Sequence, residues 1–163
     1  MKTKTPQEVG KSIESEFQLM LNTFSQKTPL SYERLYDTHS AGSYLPPMPS
    51  DFIVGYDSVT HFIELKSSAS FSSLMDGGAL RKLVKDAQVA KMRMWVRAGC
   101  PCWFVFVSQK SGTVEWWNGR KVIQAYLTPR GKLVDEIEYV SDSSPKTPSE
   151  LIEILRMQHA KPK

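Results

Sequence analysis

The segment from residue 49 to residue 66 constrains the fold most strongly, because two apolar strand patterns flank a polar turn there. Both patterns are rich in branched and aromatic residues, and the residues between them include glycine. We therefore predict a β-hairpin with strands over 51–56 and 60–67. Side chains alternate between the two faces of a strand. Glu64 and Lys66 must then point to the same side of a strand that is otherwise apolar.

The hairpin predicts a cluster of two carboxylates and one ammonium group. Asp51 begins the first strand, and the return of the chain brings it beside Glu64 on the second strand. Mg²⁺ binds oxygen ligands and uses one or two carboxylates together with a substrate phosphate. Lys66 can orient a water molecule or hold a phosphate oxygen. The cluster is therefore typical of metal-assisted phosphodiester hydrolysis.

Each member of this cluster also has an ordinary structural interpretation. Asp51 can be a strand-edge or turn aspartate, and Glu64 can be a solvent-facing partner of Lys66 in a weak surface ion pair. Lys66 can be a strand-end lysine that extends into solvent. Against these alternatives, Glu64 has apolar neighbours, and a carboxylate is costly to bury unless it is paired or bound to a metal. Asp57, close by in the polar segment, is interpreted as a turn residue.

The rest of the chain predicts an α/β sandwich with a central mixed sheet flanked by helices. Thr5-Pro6-Gln7-Glu8 is a capping sequence that begins an amphipathic helix, and a similar sequence begins the last helix. The order of the elements favours a single domain over 1–163, with a core over about 6–127. The predicted helices cover about 6–25, 79–98 and 148–158; further strands cover 30–36, 102–108, 113–117 and 121–127, and a Pro-rich loop covers 38–50.

Two local signals determine the predictions for the second half of the chain. The helix over 79–98 has an apolar stripe that includes Trp95 and a set of cations that only one aspartate offsets. Asn118-Gly119 is a strong signal for a two-residue hairpin turn. Trp116 and Trp117, directly before it, are predicted to pack in the core or at a dimer contact, with base stacking as the alternative.

Composition excludes several classes of protein. No apolar run approaches the roughly 20 residues that span a bilayer, and the N-terminal residues lack the apolar core of a signal peptide. We therefore expect an intracellular, cytoplasmic protein with no membrane partner. Cys100 and Cys102 are too close for an unstrained disulfide and too few for a zinc site, so we expect reduced thiols. The net charge of +4 gains meaning for nucleic-acid binding only if basic residues border the carboxylates.

The sequence resembles the PD-(D/E)xK nuclease superfamily. Pro49-x-Asp51 followed by Glu64-x-Lys66 matches its motif, and the predicted helices and strands around the motif match its core. Within the superfamily, the sequence is most similar to Holliday-junction resolvases of the RecU and archaeal types. The resemblance covers roughly residues 8–127.

Three further features carry the resemblance to the resolvases. Gly10-Lys11-Ser12-Ile13-Glu14 is similar to their Gly-x-x-x-Glu, and Ser40-Ala41-Gly42 is similar to their flexible Ser/Gly loop. Gln88 is similar to the glutamine on the helix that follows the Glu-x-Lys strand in RecU-type enzymes. Glu16 is the rival of Glu14 for a place in the site. The candidates for contact with DNA or with a metal-bound water are Gln88, Arg34, Ser40, Lys82, Lys85 and Lys91.

The resemblance implies an activity and roles for the cluster. It implies a restriction-endonuclease-like fold and a Mg²⁺-dependent endonuclease, with Mn²⁺ as a substitute, that resolves Holliday junctions as a homodimer. Asp51 and Glu64 would hold the metal with the backbone carbonyl of Leu65. Lys66 would position the attacking water, and Glu14 would hold a second metal or a water.

Other functions remain open at this stage. A restriction-type or repair nuclease that cuts ordinary duplex DNA would carry the same acidic cluster. A non-catalytic DNA-binding module could keep the same fold without cleaving its partner. A small nuclease without an accessory domain also suits a phage-encoded protein.

Overall fold

The structure, a computed structural model, describes residues 5–35, 50–68, 77–128, 139–141 and 144–157. The helices are α1 (Pro6–Ser25), α2 (Gly77–Leu83), α3 (Asp86–Arg97), α4 (Gly119–Leu127) and α5 (Pro148–Met157). The strands are β1 (Leu30–Arg34), β2 (Phe52–Tyr56), β3 (Val59–Ser68), β4 (Cys102–Ser108), β5 (Val114–Asn118) and β6 (Tyr139–Ser141). None of the helices in these ranges is long and apolar enough to cross a membrane.

The strands form one mixed sheet in the order β1-β2-β3-β4-β5-β6. The neighbours β3 and β4 are parallel, and the other neighbouring pairs are antiparallel. Helices pack on both faces of this sheet. The predicted α/β sandwich with a mixed central sheet is confirmed.

The alternation of side chains along the strands builds two hydrophobic cores. On one face, which we call the α3 face, α2, α3 and α4 pack against Phe62, Phe104 and Phe106. On the other, the α1 face, α1 and α5 pack against strand residues that include Trp103. Burying one such side chain contributes about 1.5–3 kcal/mol. Because β4 supplies side chains to both cores, it is the apolar central strand that the sequence predicted.

Several local predictions are confirmed by the structure. Helix α1 begins at the predicted capping box, in which Thr5 and Glu8 bond each other's backbone N–H groups. Asp57 lies in the turn between β2 and β3, where its φ of 51° is in the left-handed region. Trp116 and Trp117 are both buried, in the cores on opposite faces of the sheet. The predicted core packing of this pair is therefore confirmed.

The single helix predicted over 79–98 is wrong, because the chain forms two helices there. Lys85 has an extended backbone, with φ −82° and ψ 148°, and separates α2 from α3. Val84, directly before it, is 1% exposed in the core of the α3 face. The N–H of Lys85 donates to Oε1 of Gln88 over 3.2 Å, which caps the new helix. Tertiary burial and this cap thus interrupt a sequence with good helix propensity.

The hairpin predicted at Asn118-Gly119 is also wrong, because these residues begin α4. Oδ1 of Asn118 accepts a hydrogen bond of 2.9 Å from the backbone N–H of Arg120, as an N-cap residue does. A Cβ atom on Gly119 would lie 2.7 Å from the Cβ of Cys102, so the helix start packs tightly on β4. The predicted strand over 121–127 is therefore a helix.

Three smaller outcomes complete the comparison with the sequence. The short strand β6 pairs with β5 and was not predicted. Cys100 and Cys102 are free thiols, and burial, with the nearby Cys100, raises the pKa of Cys102 to about 12. The reduced thiols that we predicted are confirmed. The Pro-rich loop apart from Ser50, and with it Ser40 and Pro49, lies outside the described residues.

Candidate active site

The register of the β2–β3 hairpin sets the position of the first carboxylate. Phe52 lies opposite Ile63 across the two strands, and the N–H of Asp51 donates to the Ile63 carbonyl over 3.1 Å. Asp51 therefore continues the ladder by one residue, opposite Glu64. Its Oδ2 accepts a hydrogen bond of 2.7 Å from the N–H of Leu65, which fixes the carboxylate against β3.

The second carboxylate is almost completely buried on the α3 face. Glu64 is 2% exposed, and it lies opposite Phe104 of the parallel neighbour β4. Its Oε1 lies 2.6 Å from Nζ of Lys66 and accepts a hydrogen bond of 2.5 Å from Nε2 of Gln88. The side chain of Lys66 is 18% exposed, and its ammonium group contacts Glu64. Glu64 and Lys66 are two residues apart on β3, so both side chains point to the same face of the sheet.

The electrostatics of this acidic pair, Asp51 and Glu64, show a shortage of positive charge. Burial raises the pKa of Asp51 from 3.8 to about 7, and the charge of Glu64 adds to the rise, while the Leu65 N–H and Lys66 oppose it. Burial likewise raises the pKa of Glu64, although Lys66 and the hydrogen bond from Gln88 act against the rise. One lysine does not compensate two desolvated carboxylates. An additional cation would stabilise both in the charged form.

Glu14 lies near the acidic pair but has its own partner. Its Oε2 is 2.5 Å from Nη2 of Arg34, and Arg34 also donates to Oε1 of Gln18 over 2.9 Å. The charge of Glu14 contributes to the raised pKa of both carboxylates in the acidic pair. Glu16 is exposed and accepts a hydrogen bond of 3.2 Å from Ser12. The structure thus brings Glu14 closer to the acidic pair and leaves Glu16 on the solvent face of α1.

The site contains two carboxylates at its centre rather than three. In the ranges that the structure describes, no group of three or more His, Cys, Asp or Glu side chains could hold a metal ion. The predicted role of Glu14, to hold a second metal or a water, stays a prediction. Mg²⁺ needs only one or two protein carboxylates, because waters and substrate oxygens complete its coordination.

The predicted basic helix face is divided between α2 and α3. Lys82 and Lys85 are exposed, and Lys91 is partly buried. Arg81 is engaged elsewhere, since it donates to the carbonyls of Tyr126 and Thr128, at 2.9 Å each. Fewer cations are therefore available near the acidic pair than the sequence indicated.

Trp95 belongs to the predicted apolar stripe of this segment, but it is 39% exposed. Its ring stacks on Phe62, with 4.6 Å between ring centroids. The spacing of Gln88, Lys91 and Trp95 places all three on one flank of α3. This spacing could have identified Trp95 from the sequence as a neighbour of Gln88. That flank lies beside the acidic pair, because Gln88 contacts Glu64.

Comparison with known proteins finds similarity at the level of three-dimensional structure. No family model and no curated protein matches the sequence. Among solved structures, the fold is similar to Hjc, a Holliday junction resolvase from the archaeal hyperthermophile Archaeoglobus fulgidus. The TM-score is 0.41 at 14% sequence identity, over 66% of this chain and 78% of that chain. A likeness of this size carries no conclusion about the chemistry of the present chain.

Proposed function

We propose that this protein is a Mg²⁺-dependent endonuclease that hydrolyses phosphodiester bonds in DNA, with branched DNA such as a four-way junction as its preferred substrate. The observation that carries the proposal is the acidic pair with Lys66 on one face of the β2–β3 hairpin. Asp51 and Glu64 are desolvated, and the pKa of each is raised. Buried carboxylates with perturbed pKa values and a cationic neighbour are candidates for a functional site.

The acidic pair fits a divalent metal by its charge and its donor atoms. Asp51 and Glu64 would hold Mg²⁺, with the backbone carbonyl of Leu65 as a further oxygen ligand. When bound, the metal supplies Lewis-acid polarisation of the phosphate and favours ionisation of a water nucleophile. The raised pKa of both carboxylates supports this assignment, because a cation would lower both values again.

The neighbouring side chains then orient the site. Lys66 is partly exposed and is held by Glu64, so its ammonium group can position the attacking water and stabilise negative charge on the phosphorane-like transition state. Gln88 donates to Glu64 and fixes one of its oxygens, so we assign it a positioning role. Arg34 holds Glu14, which makes it a positioning residue rather than a direct DNA contact.

The choice of branched DNA sets requirements beyond the acidic pair. Resolving a four-way junction takes two symmetric cuts, so the proposal includes a homodimer with twofold symmetry. Lys82 and Lys85 are exposed near the start of α3, where they can contact phosphates of the substrate strand. Lys91 follows on the flank of α3 that carries Gln88.

One observation favours a second candidate, a non-catalytic DNA-binding module. Lys66 and Gln88 both contact Oε1 of Glu64 at 2.6 and 2.5 Å. A carboxylate with two such partners can be a purely structural group. A duplex-specific nuclease is the other alternative, since the acidic pair would serve it equally well.

Cleavage of labelled DNA separates these three functions. A four-way junction and a linear duplex of the same sequence would be incubated with the parent protein, with and without Mg²⁺. The test variants are Asp51→Ala and Glu64→Ala. The matched control is Glu16→Ala, which removes an exposed glutamate outside the site.

The proposal expects Mg²⁺-dependent cleavage of the junction by the parent and by the control. Asp51→Ala and Glu64→Ala should each lower the rate by about 100-fold or more, the scale of losing a group that stabilises the transition state. Equal cleavage of duplex and junction would favour a duplex nuclease. Binding without cleavage by the parent would favour the non-catalytic module, and cleavage by Glu64→Ala at the parent rate would defeat the site assignment.

A further inference from the structure

One flank of α3 presents polar, cationic and aromatic side chains towards the acidic pair. Gln88, Lys91 and Trp95 recur at intervals of three and four residues, so they lie in one row along the helix. Gln88 contacts Glu64, which fixes the direction of this row. Asp86 hydrogen-bonds Tyr126 of α4 and marks the opposite flank. The row therefore faces the β2–β3 side of the sheet, away from α4.

Trp95 lies at the far end of this row and contacts the core. Its ring stacks on Phe62, with centroids 4.6 Å apart and an interplanar angle of 29°. Phe62 is 3% exposed, whereas Trp95 is 39% exposed. Phe62 and Glu64 share one face of β3, because they are two residues apart. One side of the indole thus rests on the core while the rest meets solvent, on the same face as the acidic pair.

The other tryptophans show that this exposure is particular to position 95. The chain has 4 tryptophans, and Trp103, Trp116 and Trp117 are 0%, 0% and 2% exposed. An exposed aromatic ring offers a stacking surface for a nucleic-acid base, worth roughly 1–3 kcal/mol per base. Lys91 lies between Trp95 and Gln88 along the row and supplies a positive charge for the phosphate backbone.

The spacing along α3 relates the ring to the reacting phosphate. Gln88 and Trp95 are seven positions apart on α3, which corresponds to about 10 Å along the helix axis. A nucleic-acid strand covers this length within a few nucleotides. Bases inside a duplex already stack on their neighbours, so only an unpaired base can present its face to the indole.

We propose that Trp95 is a stacking platform for an unpaired base of the substrate strand, close to the scissile phosphate. This inference rests on the proposed nuclease function and deepens it, because a base that loses its partner at the branch point of a junction, where stacking is interrupted, would distinguish the preferred DNA from ordinary duplex. Lys91 holds the phosphate between the reacting centre and that base. Trp95 is thus a specificity-determining residue and takes no part in the hydrolysis itself.

Binding measured in EDTA tests the platform without cleavage. The probes are a fully paired, fluorescently labelled duplex and the same duplex with a bulge of unpaired thymines, titrated by anisotropy. Trp95→Leu keeps an apolar side chain over Phe62 but removes the aromatic face, and Trp95→Phe keeps an aromatic face. Met94→Leu is the matched control, because Met94 is the adjacent residue and is 70% exposed.

Trp95→Leu should weaken binding of the bulged duplex by about 5- to 100-fold and change binding of the paired duplex by less than about twofold. Trp95→Phe should bind the bulged duplex more tightly than Trp95→Leu, and Met94→Leu should match the parent. Thermal melting of each variant shows that it is folded. Equal binding of the bulged duplex by parent and Trp95→Leu would overturn the inference, and so would an equal loss on both duplexes.

Acrylamide quenching of tryptophan fluorescence gives an independent readout. Trp95 is the accessible tryptophan, so most quenching of the free protein should come from it. Bulged DNA should protect it from acrylamide, and paired DNA should not. Protection by neither DNA, with both bound, would refute the platform while leaving the nuclease proposal intact. Absence of both DNA binding and DNA cleavage in the parent would instead refute the nuclease proposal.

Discussion

Raising the pH in the absence of divalent metal should destabilise the folded protein through Asp51. Its carboxyl group has a pKa of about 7 in the fold, against an ordinary value of 3.8. The folded state therefore binds the proton more tightly than the unfolded state does. Stability from this group is fully present below pH 3.8 and is lost as the pH rises through about 7.

The size of the effect follows from the two pKa values. Their difference, at about 1.36 kcal/mol for each pH unit, corresponds to about 4 kcal/mol in total. Part of this stability has already been lost at pH 5, so the free energy of unfolding falls by about 2–3 kcal/mol between pH 5 and pH 8. For a chain of this size, that should lower the melting temperature by roughly 5–10 °C.

Thermal melting in EDTA at a series of pH values measures this loss. The control is Asp51→Asn, which keeps the shape of the side chain and removes its titration. The chain also contains 3 histidines, a residue type whose ordinary pKa falls in this range, and the difference between parent and variant cancels any contribution from them. The parent should lose roughly 5–10 °C more than Asp51→Asn between pH 5 and pH 8.

Mg²⁺ adds a second arm to the same experiment. A cation that binds the ionised carboxylates stabilises the folded state by mass action, so Mg²⁺ should raise the melting temperature of the parent at pH 8 and have little effect at pH 5. Asp51→Asn should respond weakly at both. If parent and variant lose the same stability with pH, the raised pKa of Asp51 is refuted. If Mg²⁺ stabilises both equally, Asp51 is not a ligand.

Two further substitutions test the surroundings of the site and the start of α4. Arg34→Ala leaves Glu14 without this partner near the acidic pair. The negative charge of Glu14 should then raise the pH at half-maximal cleavage by about 0.5–1 unit. The control is Arg93→Ala, on the exposed surface, and identical pH profiles of the two variants would contradict this prediction. Gly119→Ala places a Cβ against β4 and should lower the free energy of unfolding in urea by about 1–3 kcal/mol. Gly10→Ala has open space around the new Cβ and should be neutral or stabilising. Equal stability of the two variants would refute the close packing of Gly119 on β4.

The acidic pair could be predicted because its signals are local. Strand periodicity gives the shared face of Glu64 and Lys66, and the polar turn gives a register that sets Asp51 beside them. The surroundings of this cluster were harder to predict, since Gln88 reaches Glu64 across the fold and Arg34 pairs with Glu14 nearby. Their contacts depend on how α1 and α3 pack on the sheet.

The errors in the second half of the chain arise where local signals are ambiguous. Asn-Gly suits a hairpin turn, but Asn is also a good helix N-cap. The helical spacing of the following apolar residues decides between them, because Val122, Ile123 and Tyr126 are buried on α4. No Gly or Pro in the sequence marks the break between α2 and α3 at Lys85. It follows from the burial of Val84 and from the cap by Gln88.

The amide of Gln88 has two ends, and each is already committed. Its oxygen accepts from the N–H of Lys85 where α3 starts, and its nitrogen donates to Glu64 on the sheet. A glutamate at this position would offer Glu64 no donor and would add a negative charge, while an apolar residue would leave both groups without this partner. Helix α3 therefore cannot slide along β3 without withdrawing a donor from the buried carboxylate. The side chain of Gln88 thus couples the position of α3 on the sheet to the ionisation of Glu64.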